Sequence, residues 1–151
     1  MKLVRQCKLP MYFQKYGWKF RRNKINTIIS GWKSATKNYT LEVKSTREFT
    51  CFSVKILELP SADSRLLELV AHKVNEKNHE MLAVKASWDD HFAVYLNFQS
   101  FTDSLSYNCF YKIIGMLSYY SDLLSDELSE LIVHRSLSKK LHKQNHEIHL
   151  D

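Results

Sequence analysis

The sequence predicts a single α+β domain, with a mainly antiparallel sheet of about five strands and helices packed on it, in the order α-β-β-β-α-β-β-α. Stretches in which apolar and polar residues alternate follow one another closely, as adjacent antiparallel strands require. Two longer stretches, Leu66–Val74 and Phe110–Leu124, repeat apolar residues at helical spacing instead. The chain has 151 residues, 44% apolar and 25% charged, enough for one core and little more. No Gly/Ser/Pro stretch divides it before about Ser136.

Arg5 to Tyr16 suits a short helix, with Leu9, Tyr12, Phe13 and Tyr16 at compatible spacing. Pro10 delays its start and Gly17 ends it. Ile25–Trp32 is β-branched and reads as a strand; Tyr39, Leu41 and Val43 alternate with Thr40, Glu42 and Lys44 as a half-buried one. Phe49–Leu57 follows a polar turn, which makes a hairpin. Pro60 stops that strand, Ser61 or Asp63 caps the next helix, and Leu66, Leu67, Val70, Ala71 and Val74 form its apolar stripe. Glu80–Trp88 and Phe92–Phe98 read as two strands flanking Asp89-Asp90, a tight turn. Ser104 opens a closing helix with Phe110, Ile113, Ile114, Leu117, Tyr120, Leu123 and Leu124 on its core side. Leu128, Leu131 and Ile132 extend it or start another short helix. The expected core is Trp18, Ile29, Leu41, Val43, Phe52, Val54, Ile56, Leu67, Val70, Val74, Leu82, Val84, Val94, Leu96, Ile113, Ile114 and Leu117.

Charge is unevenly spread. Residues 1–50 hold twelve Lys or Arg against two acids, and residues 51–133 hold six against twelve. A basic front on an acidic body suits an anionic partner; the plainer reading is a solvated face. Lys15, Lys19, Arg21, Arg22, Lys24, Lys33 and Lys37 interleave with Tyr12, Phe13, Tyr16, Trp18, Phe20 and Trp32. Cations that track phosphates beside rings that stack on bases would hold a single-stranded nucleic acid. The same rings would equally serve as a core face, and burial separates the two.

Three widely spaced cysteines, in no C-x-x-C pair, read as reduced thiols, and Met1–Leu9 is too charged for a secretory leader. The expected location is the cytoplasm. Gly17, Gly31 and Gly115 are isolated, so no Gly-rich phosphate loop forms, and no G-x-S-x-G or H-E-x-x-H occurs. Glu68, His72 and Glu76 lie one turn apart but suit solvated helix pairs. His142, His146 and His149 would share a helical face able to hold zinc, without an apolar surround to order them. The expectation is no enzyme, no metal and no cofactor.

Several landmarks together resemble the YbjN-like proteins, whose fold is shared with type III secretion chaperones. They are Phe13, Gly17 and Trp18; strands such as Ile25–Gly31 and Tyr39–Val43; the run Phe52–Pro60; the helix with Leu66–Val70 and Val74-Asn75; and a closing helix near Leu105-Ser106. The resemblance spans about Met11 to Val133. Asn78-His79-Glu80 stands where the family usually has a Gly, and the basic front differs from the family's acidic habit. The resemblance implies a non-catalytic, chaperone-like or regulatory protein-binding module, linked to stress responses, that dimerises and holds extended client segments.

The expected organisation is a basic segment over 1–8, a domain over 9–133 and a flexible His-rich polar tail over 134–151. The expected partner is a protein client, with nucleic acid as the alternative. A homodimer is expected through Tyr107, Cys109, Met116, Tyr119 and Leu123, which add apolar surface beyond one core-facing stripe.

Overall fold

Alternation along one strand sets the layers of the molecule. In the computed structural model, which describes residues 8–60 and 63–147, Tyr39, Leu41 and Val43 are buried while Thr40, Glu42 and Lys44 are exposed. One face of the sheet is therefore wet and the other carries the helices. The elements are α1 (Leu9–Tyr16), β1 (Arg21–Lys24), β2 (Thr27–Lys33), β3 (Asn38–Ser45), β4 (Phe49–Glu58), α2 (Ser64–Glu80), β5 (Lys85–Trp88), β6 (Ala93–Phe101) and α3 (Tyr107–Glu147). All neighbouring strands are antiparallel, in the order β1-β2-β3-β4-β6-β5.

The sheet thus has six strands, not five. The added strand, β1, is Arg-Arg-Asn-Lys with every residue exposed, so it has no apolar alternation to reveal it. Backbone pairing with β2 makes it a strand: Arg21 lies opposite Ile29 and Arg22 opposite Ile28. Ile25 and Asn26 form the tight turn between them, and Ile25 is 98% exposed, so β2 starts later than expected.

Helix limits follow local chemistry. Pro10 sits in the first turn of α1, where its missing N–H costs nothing, and Gly17 adopts φ 85° to close the helix. The Asp63 carboxylate caps α2 by accepting from the Arg65 N–H at 3.2 Å. α2 runs through Glu80, so the strand expected from Glu80 shrinks to Lys85–Trp88, four residues. Ser106, rather than Ser104, caps α3: its Oγ accepts from the Cys109 N–H at 3.1 Å. Thr102–Ser104 forms a 3₁₀ turn before it. Asp89 serves the β5–β6 turn, with Oδ1 accepting from the N–H groups of His91 (2.9 Å) and Ala93 (3.0 Å).

Helix α3 is one unbroken helix of 41 residues, crossing 134 without interruption. The basic segment 1–8 and the chain end after 147 lie outside the described residues, save Lys8.

The core fills the space between the helices and the inner sheet face, with Phe13, Phe52, Phe110, Leu41, Leu96 and Leu117 fully enclosed. Two expected core residues fall elsewhere. Ile28, opposite Val43, takes the inner face, so Ile29 turns outward opposite Glu42. Leu82 is 94% exposed, because the segment after α2 buries Met81 instead. Trp18 and Leu67 are half-buried at the core's margin.

Candidate functional site

The seven cations singled out by sequence do not act as one surface. The Lys15 ammonium lies 4.2 Å from the Tyr107 ring centroid, tying α1 to α3. Lys37, at the tip between β2 and β3, turns inward, and its Nζ donates to the Ser125 and Ser129 hydroxyls of α3, the latter at 3.2 Å. Lys19, Arg21, Arg22, Lys24 and Lys33 stay exposed. Among the described residues, no ion pair engages any of the five. Lys19 is fixed through its backbone, since its carbonyl accepts from the Ser30 hydroxyl at 2.8 Å. Arg21, Arg22 and Lys24 line β1, an outermost strand whose far side has no neighbouring strand among the described residues.

The aromatic residues between these cations face one another. Trp18 stacks on Trp32 at 5.4 Å between ring centroids, and Trp32 packs on Tyr39 at 5.2 Å. Phe13 is fully buried and contacts Phe20 and Phe110. Tyr12, Tyr16, Trp18, Phe20 and Trp32 are packed against the core. This end of the molecule is therefore a basic, solvent-facing strand mounted on a wall of mutually packed rings. Its chemistry is backbone hydrogen bonding beside positive charge, with the rings committed to packing on one another and on the core.

The residues expected at a dimer face divide. Tyr107 is half-buried, edge-on to Tyr12 at 5.7 Å, and Met116 packs on the core. Leu123 is half-buried. Cys109 and Tyr119 are exposed. The Cys109 thiol is held below its usual range, first by its hydrogen bond with the Ser106 side chain and then by the backbone of that residue.

On α2, Glu68 pairs with Arg65 at 2.8 Å and Glu76 with Lys73 at 3.0 Å, while His72 is exposed. The acid–His–acid row is a set of helix-surface ion pairs. His134 and His142 are exposed, and the side chains of His146 and His149 lie outside the described residues. Among the described residues no three His, Cys, Asp or Glu side chains converge as metal ligands.

Sequence reading misses two polar seams. Asp63 binds both Arg135 (3.0 Å) and Lys139 (2.7 Å) of α3, which hold its carboxyl below the usual carboxylate range, Arg135 foremost. Lys77 is buried and reaches Glu127 at 2.6 Å and Glu80 at 2.7 Å, which push its ammonium up. The partners across the two helices, Asp63 with Arg135 and Lys139 and Lys77 with Glu127, are so far apart along the chain that they leave no local signal. Capping is legible at Asp63; its second role is not.

The fold that carries this edge is that of the type III secretion chaperones and YbjN: an open antiparallel sheet with helices on one side. The chain is similar to YbjN from E. coli, with a TM-score of 0.53 and 15% identity over 87% of this chain and 90% of that one. It is also similar to a chain in the Yersinia pestis chaperone SycH complex with a YscM2 fragment, at TM-score 0.52 and 10% identity over 77% and 95%. A chain of the heterodimeric ExoU–SpcU complex from Pseudomonas aeruginosa gives 0.51 and 15%, over 81% and 93%. No protein-family model matches the sequence, and no curated protein matches it significantly. No helix among the described residues is long and apolar enough to cross a membrane.

Proposed function

We propose that this chain is a non-catalytic, chaperone-like protein-binding module that holds an extended, acidic client segment along β1. The observation that carries this reading is the outer edge of β1, unpaired among the described residues and lined by Arg21, Arg22 and Lys24. An extended client can add a strand there through main-chain hydrogen bonds, which need no special side chain. Positive charge on the edge discourages copies of the chain from stacking, and it favours a segment carrying Asp or Glu. Two of the similar structures are complexes with protein partners, which agrees with this use of the fold. A regulatory or stress-linked role would be exercised through the client, in the cytoplasm.

Fluorescence anisotropy with a labelled peptide of alternating Glu and Val tests the reading. Binding is expected, to be weakened at least about tenfold by Arg22→Glu with Lys24→Glu, and by a proline in the middle of the peptide, which removes a ladder donor. Preference for oligodeoxythymidine over the peptide, with a steep loss of affinity as salt rises, would overturn it in favour of single-stranded nucleic acid.

A further inference from the structure

Exposed apolar side chains collect at one end of the sheet. The Asn26 carbonyl accepts from the Ser45 N–H at 2.9 Å, Ser45 lies opposite Thr50, and Thr50 lies opposite Ser100, so these four form one row across the sheet. One residue further out, the last row is Ile25, Thr46, Phe49 and Phe101. The Thr46 N–H donates to the Phe49 carbonyl at 2.7 Å, and Phe49 lies opposite Phe101 with ring centroids 5.2 Å apart. Ile25 is 98% and Phe101 63% exposed, and Phe49 is half-buried. Helix α1 begins at this same end. The Tyr12 hydroxyl donates to the Leu105 carbonyl at 3.0 Å, just before α3, and after α1 the chain reaches Trp18, which stacks on Trp32 towards the other end of β2. Met11, 59% exposed, therefore joins the apolar set.

Charge indicates what covers it. Lys24, Lys44 and Arg47 border the row and Lys8 precedes α1; all four are exposed, and among the described residues no ion pair engages them. Two acids stand among them, Glu48 and Asp103. A phosphate chain or an acidic peptide rewards the cations but gives nothing to an aliphatic side chain held out at a turn. The margin of an anionic bilayer rewards both: apolar tips enter the headgroup layer, while Lys and Arg stay at the level of the phosphates. The tips come from separate turns and lie level in one row, which fits a flat partner better than a strand or a helix.

We propose that this end of the molecule docks on an anionic lipid surface, with Ile25, Phe101 and Met11 in the headgroup layer and Lys8, Lys24, Lys44 and Arg47 against the lipid charges. It shares only Lys24 with the client edge on β1, so the two readings fail separately.

Co-sedimentation of the full chain with vesicles tests the docking. Binding is expected to phosphatidylcholine vesicles containing about one-third phosphatidylserine, but not to phosphatidylcholine alone, and it should weaken as salt rises from about 0.1 M to about 0.5 M. Ile25→Ser and Phe101→Ser should each weaken it at least about fivefold, and Arg47→Glu likewise. Far-UV circular dichroism should be unchanged, because all three side chains are exposed, and Ile25→Ser should leave binding of the alternating Glu/Val peptide intact. Absence of binding to the phosphatidylserine vesicles overturns the proposal, as does equal binding to phosphatidylcholine alone. Binding indifferent to both Ile25→Ser and Phe101→Ser places the contact elsewhere and overturns it too. Vesicle binding that Ile25→Ser leaves intact while peptide binding falls assigns the row to the client instead.

Discussion

Tyr39 joins the sheet to the closing helix through a single hydroxyl. Its ring packs on Trp32, and its hydroxyl donates to Asp122 at 2.9 Å, with the Ser121 carbonyl at 3.3 Å. Burial first, and then the bond to Asp122, push its pKa up to about 12. An unfolded tyrosine ionises near 10, so the unfolded chain loses its proton first and stability falls as pH rises from about 10 to 12. Absorbance titration should show one phenol ionising late, and Tyr39→Phe should remove that late step while costing about 1 kcal/mol of stability. Survival of the late step in the variant would contradict its assignment to Tyr39. Gly31 is constrained differently: a Cβ there would collide with the Tyr39 carbonyl oxygen. Gly31→Ala should lower stability by about 1–3 kcal/mol, measured by urea unfolding, because β2 and β3 must part to admit it. Neither effect was legible from sequence, where Gly31 is an isolated glycine and Tyr39 one of several alternating residues. The pairing of β2 with β3 creates the Gly31 constraint, as it also chooses Ile28 over Ile29 for the core, and the docking of α3 on β3 creates the Tyr39 bond.

Among the elements, those with strong periodicity are legible and those formed by pairing or long-range charge are not. β3, β4, α2 and the core stripe of α3 follow from alternation or helical spacing. β1 has neither, and exists because a short turn folds Arg21–Lys24 back on β2. The seam between α2 and α3 is likewise invisible until the helices are side by side. Asp63 caps α2 and binds Arg135 and Lys139, and these cations depress its pKa. Its contribution is present above the unfolded value near 3.9 and lost as pH falls through the folded one. Asp63→Asn keeps a capping oxygen while removing the charge. It should lower the melting temperature at pH 6 and flatten its decline below pH 4 relative to wild type. Parallel declines for the two proteins would show that the pairs contribute nothing across that range.

At the scale of the whole molecule, one feature of the sequence translates directly into a surface and another does not. The excess of basic residues before Thr50 becomes an exposed basic edge, Lys19 through Lys24 with Lys33, while Lys15 and Lys37 are drawn into contacts with α3. The aromatic residues among them, open from sequence to either a stacking or a packing role, pack. What remains at that end is an edge strand offering backbone groups and positive charge, on a fold similar to that of secretion chaperones. The most direct measurement of its use is amide hydrogen exchange, with and without the alternating Glu/Val peptide. Added protection is expected to begin at the amides of Arg21–Lys24 and to be absent from the β5 edge at Lys85–Trp88. Protection confined to β5 or to the helices, or none at saturating peptide, would contradict it.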